Sequence, residues 1–219
     1  MNFPAFHHIK KLWINKFLIC VCYSLFTIHY SLADDCTQFK VTPNVVVGTP
    51  AWTKSVGQPA EPMNLLHGNV VATLVEGYNL QTQAVPVAGG YCVLLSGVDA
   101  VVGYSDFLIQ IDERHEVGSC AYNATLNHEY EHIRSHLGTI DASRADIKSA
   151  VTRAANSIMP VFVPADGNLD AALDTMQAAM QNHPDIILMK QKIAAVQEIN
   201  DHAVDQRDNG SRIKACMDK

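Results

Sequence analysis

The spacing of apolar positions changes character near residue 118. Before that point, residues 39–47, 70–75, 91–95, 98–104 and 107–111 are β-branched or aromatic runs punctuated by Gly, Pro and Asn, which predicts strands. Residues 48–64, with Pro50, Pro59 and Pro62 among Gly48 and Gly57, read as a long loop. After residue 118 the period becomes helical. Ile147, Val151, Ala154 and Ile158 share one face, Leu169, Leu173, Met176 and Met180 a second, and Ile186, Met189, Ile193 and Val196 a third. Pro160 and Pro164 separate the first two helices, and residues 182–184 the last two. The expected fold is therefore α+β: a small, mostly antiparallel sheet in 34–117, then helices in 118–219, together forming one domain.

The N-terminal segment changes where that domain begins. Lys10, Lys11 and Lys16 precede an apolar run over residues 17–28, and Ser31-Leu32-Ala33 places small residues where a signal peptidase reads. Residues 1–33 are expected to be a removed secretory signal, since the run is shorter than the ~20 residues a spanning helix needs. Removing three of the 16 basic residues and none of the 22 acidic ones leaves 13 against 22, a net charge of −9. Such a chain suits neither nucleic acid nor an anionic membrane as partner. Four cysteines remain, Cys36, Cys92, Cys120 and Cys216, an even set that an oxidising compartment pairs. Three pairings are open, and Cys36 with Cys92 plus Cys120 with Cys216 is preferred. The last bridge would fasten the chain's end to the start of a helix over 119–137, which Gly138 is suited to close.

That helix contains His128-Glu129-Tyr130-Glu131-His132, an H-E-x-x-H. Positions four apart lie one above the other on a helix, so both imidazoles can close on one metal while Glu129 stands beside it as a general base. A sheet followed by such a helix resembles the zincin metallopeptidases. The likeness covers about residues 91–141, and Cys120-Ala121-Tyr122 followed by residues 127–132 resembles exported bacterial zinc-peptidase-like proteins of undefined substrate. The resemblance implies a Zn²⁺ cofactor, a peptide or protein substrate, and a cleft lined by a strand, with 98–104 or 107–111 as that strand.

A catalytic zinc needs a third protein ligand and an open position. His136 continues the i+4 series, but eight residues at ~1.5 Å each put it ~12 Å from His128 along the axis. Metzincins turn at a glycine and take a ligand three residues later; here Gly138 lies six after His132 and Asp141 three after Gly138. Asp141 is thus the expected third ligand, with Asp146, His136, His115 and Glu116 as alternatives. Asp141 also suits the N-cap of a helix starting near Ala142. His67, His183 and His202 are isolated and read as structural or exposed. Tyr122 and Tyr130 read as buried aromatics in preference to oxyanion donors. The sequence therefore points to a secreted or periplasmic zinc peptidase using His128, Glu129, His132 and Asp141. The alternative is a non-enzymatic exported metal-binding or envelope-assembly module.

Overall fold

The structure, a computed structural model, describes residues 34–59, 67–208 and 210–217. The expected signal segment 1–33 lies outside them. The order is a short 3-10 helix Asp34–Gln38, β1 Asn44–Gly48, β2 Thr53–Gly57, β3 Gly68–Val87, β4 Gly90–Ile111, α1 Cys120–Ser157, β5 Val161–Pro164, α2 Leu169–Gln181, α3 Pro184–Asp208 and α4 Ser211–Met217. Among the described residues two compact units result: 34–40 with Ala84–Leu94 and Met159–Ala172, and 41–59 and 67–83 with Leu95–Ile158, 173–208 and 210–217. Among the described residues no helix is long and apolar enough to cross a membrane.

In the smaller unit β5 runs antiparallel to the start of β4, with Cys92 opposite Phe162. A Cβ on Gly90 would collide with the carbonyl oxygen of Val163, so only glycine permits that close pairing. Cys36, Cys92 and Leu94 are buried, with Phe39, Val85, Val87 and Phe162 packed against them. The Cys36–Cys92 disulfide closes this cluster, as the preferred pairing expected.

The larger unit is organised by the remainder of β4, where the expected strands 98–104 and 107–111 are one continuous strand. Both β1 and β2 pair with it in parallel, Val45 opposite Val98 and Ser55 opposite Leu108. The expected mostly antiparallel sheet is corrected by these two pairings. Parallel partners need an intervening element, and β3 lies between β2 and β4 in the chain. The expected loop 48–64 is also corrected, because it contains β2. Along β4, Val98, Ala100 and Val102 are buried at even positions, and Phe107, Ile109 and Ile111 at odd ones. The core face thus changes phase once between the two sets, as a bulge causes.

α1 is twice the expected length and runs through Gly138. Ser119 caps it, its side chain accepting from the Tyr122 amide at 3.1 Å. A glycine inside a helix costs ~1 kcal/mol, but the buried stripe continues on both sides of it through Ile133, Ile140, Ile147, Val151 and Ala154. Packing therefore overrides the stop signal. α1 packs on α3, whose Ile186, Met189, Ile193 and Val204 are buried, and on α4. The Cys120–Cys216 disulfide joins the first residue of α1 to α4, again the preferred pairing.

Candidate metal centre

The long α1 presents His128, His132 and His136 on one face, and α3 presents Asp201 and Asp205, also four apart, towards them. His128 Nε2 and His132 Nε2 lie 3.2 Å apart. Asp205 Oδ1 lies 3.2 Å from the first and 3.0 Å from the second. In a tetrahedral zinc site with bonds of about 2.0–2.1 Å, ligand atoms stand about 3.3 Å apart. Two imidazole nitrogens and a carboxylate oxygen thus meet at the separation a shared cation requires, and the three groups can hold a metal ion. His128 and His132 are 15% and 12% exposed at their side chains and Asp205 58%, so the site is open on the Asp205 side.

A second carboxylate fixes the orientation. His132 Nδ1 is 3.0 Å from Asp201 Oδ1, which also accepts from Gln197 Nε2 at 2.8 Å. With Nδ1–H donated to Asp201, the lone pair on Nε2 faces the centre. Burial favours neutral His132, but the Asp201 hydrogen bond and the charges of Glu129 and Asp205 outweigh it and raise its pKa. Protons thus compete for this centre as a metal would. His136 belongs to the same network but not to the triangle: its Nε2 is 3.6 Å from Asp201 Oδ2, and its ring stands edge-on to Tyr104. Burial holds the His136 pKa down.

Glu129 is 3% exposed. Burial pushes its carboxyl up to about 7, with His132 pulling the other way and Asp205 and Asp201 adding to the rise. It is enclosed by the start of β3: a Cβ on Gly68 would sit 2.6 Å from Glu129 Oε1 and 2.5 Å from Thr125 Cγ2. The backbone at Gly68 therefore closes over the carboxylate because no side chain stands between them. Glu129, His128, His132 and Asp205 share a cavity of about 530 Å³, with His67 and Gly68 also in its wall.

The expected third ligand is not there. Asp141 lies in the interior of α1, exposed, and accepts from Arg144 Nη2 at 2.9 Å. It is neither a cap nor part of the triangle, because the helix it was to begin is the one that carries the motif. Asp146 is likewise exposed on α1, and Glu116 is exposed before it. His115 is buried against His67, not against the histidine pair. Glu131 faces Arg212 at 3.0 Å, and the Tyr130 ring lies under Lys54 Nζ at 4.2 Å. The strand in the cavity wall is the beginning of β3, not the expected 98–104 or 107–111, which lie in β4. Asp201 and Asp205 were missed, and His67, read as structural or exposed, lies in the cavity wall. The signal for the first two was a carboxylate pair at i, i+4 on the last predicted helix, matching the spacing of the histidines. Comparison with protein-family models, with curated proteins and with solved structures finds no match.

Proposed function

We propose that the protein is an exported zinc peptidase in which His128, His132 and Asp205 hold the metal and Glu129 is the general base. The observation that carries this reading is the convergence of the three ligand atoms within 3.2 Å, beside a buried glutamate in the same cavity. The donor set favours zinc: two imidazoles and one carboxylate, with a side open to a fourth group, is a catalytic pattern. Zinc held there supplies Lewis acidity, lowering the pKa of water and polarising a carbonyl.

The chain's own residues supply the rest. Asp201 keeps His132 in the tautomer that binds metal. Glu129, lifted towards neutrality by burial, takes a proton from the attacking water and returns it to the leaving nitrogen. The β3 backbone at Gly68 excludes solvent from that carboxylate. Two carboxylates of α3, Asp201 and Asp205, complete what the motif helix begins. Export rests on the basic and apolar segment before Ser31-Leu32-Ala33 and agrees with two disulfides, which persist in oxidising compartments.

The test is Glu129→Gln in the zinc-loaded protein, read by zinc stoichiometry and by cleavage of a diverse peptide library. The expected result is unchanged zinc with hydrolysis lowered roughly a hundredfold or more, the loss that follows removal of a positioned proton-transfer group. Equal cleavage by wild type and variant removes Glu129 from the mechanism. A zinc-loaded wild type that cleaves no peptide overturns the peptidase reading.

A further inference from the structure

Resting on the peptidase reading, we infer that His67 is a further catalytic residue, whose Nε2–H donates a hydrogen bond to the carbonyl oxygen of the scissile bond as negative charge develops on it. His67 stands immediately before Gly68, the residue closed over Glu129, and is part of the wall of the same cavity. Its Nδ1 lies 2.9 Å from Nε2 of His115, and the two rings stack with centroids 5.1 Å apart. The contact is built into the fold. His115 is 9% exposed, its amide donates to the carbonyl of Asp112 at 3.0 Å, and the amide of Asp112 donates to the carbonyl of His67 at 3.0 Å.

Two ring nitrogens at that distance share one proton. Burial, and then the neighbouring His67, hold the His115 pKa down, so His115 is neutral and carries a single N–H. If that proton sits on His115 Nε2, it is donated to His67 Nδ1, and both rings adopt the tautomer that free neutral imidazole prefers. His67 then carries its own proton on Nε2, its one remaining polar atom. The reverse arrangement would force both rings into the less favoured form. His115 is in this way a positioning residue that fixes the tautomer of His67.

The cavity makes such a donor consequential. Glu129, Asp201 and Asp205 in its wall are acceptors, and His128 and His132 are committed to the metal centre. Besides His67, the side-chain donors in the wall are exposed Asn69 and His136, which faces Asp201. Hydrolysis of an amide moves charge onto the carbonyl oxygen, and a neutral donor fixed in place beforehand stabilises that charge more than the ground state.

Three variants and one spectrum test the assignment. His67→Phe keeps a planar ring and removes the donor, so kcat falls about a hundredfold while zinc content and the circular dichroism spectrum stay those of wild type. His67→Gln places an N–H₂ near the same point and recovers at least tenfold of the loss. His115→Phe lowers kcat in the same direction, leaving KM nearly unchanged. Long-range ¹⁵N spectra of the imidazoles in zinc-loaded wild type show His67 protonated at Nε2 and bare at Nδ1. An active wild type matched in kcat by His67→Phe, or a His67 protonated at Nδ1, overturns the inference and leaves the peptidase reading standing. A zinc-loaded wild type without peptide hydrolysis removes that reading, and this inference with it.

Discussion

Asp201 Oδ1 lies 3.0 Å from His132 Nδ1, on the opposite side of the ring from the nitrogen that meets Asp205. One turn of α3 thus supplies both a ligand and the group that aims another ligand. The carboxylate is itself held, by Gln197 Nε2 at 2.8 Å, and Gln197 is buried.

Replacing Asp201 by Ala should weaken metal binding without abolishing it. The histidine keeps its place but loses the group that fixes its tautomer, and such losses lower metal affinity 10–100-fold, roughly. Competition with a fluorescent zinc chelator measures the change. An affinity equal to wild type would show that the orientation of His132 is set by packing alone.

Asp205 and Asp141 separate two accounts of the third ligand. Asp205→Ala should leave only the two imidazoles, with the zinc stoichiometry falling well below one after dialysis. Asp141→Ala removes an exposed partner of Arg144 and should retain full zinc, with stability altered by less than ~1 kcal/mol as for exposed pairs. Metal analysis of both variants decides, and the opposite pattern would restore the metzincin-like spacing.

The helices and the histidine pair were legible because both depend on local spacing: a 3.6-residue period placed Ile147, Val151 and Ala154, and an i+4 spacing placed His128 over His132. The disulfides were legible for a different reason, four cysteines allowing only three pairings. Asp205 was not, since it lies 73 residues from His132 and only the packing of α3 on α1 makes them neighbours. Gly138 misled for a physical reason. Its cost in a helix is small beside the buried stripe that flanks it, so a stop expected from one residue became mid-helix and moved Asp141 away from the metal. Strand sense was beyond pattern reading, because alternation gives a strand's faces but not its direction relative to a partner.

Gly68 offers a test of the roof over Glu129. A methyl group there would stand 2.6 Å from Glu129 Oε1 and 2.5 Å from Thr125 Cγ2, and Thr125 is fully buried. Either β3 lifts or the carboxylate turns aside. Gly68→Ala should therefore retain zinc yet lose peptide hydrolysis by a factor of ten or more, since small misplacements of a proton-transfer group are costly. Full activity with unchanged zinc would mean that the strand start yields freely and does not position the base.

Asp208 ties the end of α3 to α4, and its pH dependence has a definite sign. Its side chain is 3% exposed, and Oδ1 accepts from Ser211 Oγ at 2.7 Å and from the Arg212 amide at 3.1 Å. Burial alone would raise its pKa, but these hydrogen bonds and the Arg212 charge bring it below the ordinary 3.8. A depressed carboxyl stabilises the fold fully above its unfolded value, and that contribution disappears as pH falls through the folded one. Asp208→Asn should thus be less stable than wild type at pH 6, and the gap should close as pH falls below 3.8. Urea unfolding of both proteins with disulfides intact, at pH 6 and pH 3, measures it. A gap that widened on acidification would mean the carboxyl is held protonated in the fold, contrary to the hydrogen bonds it accepts.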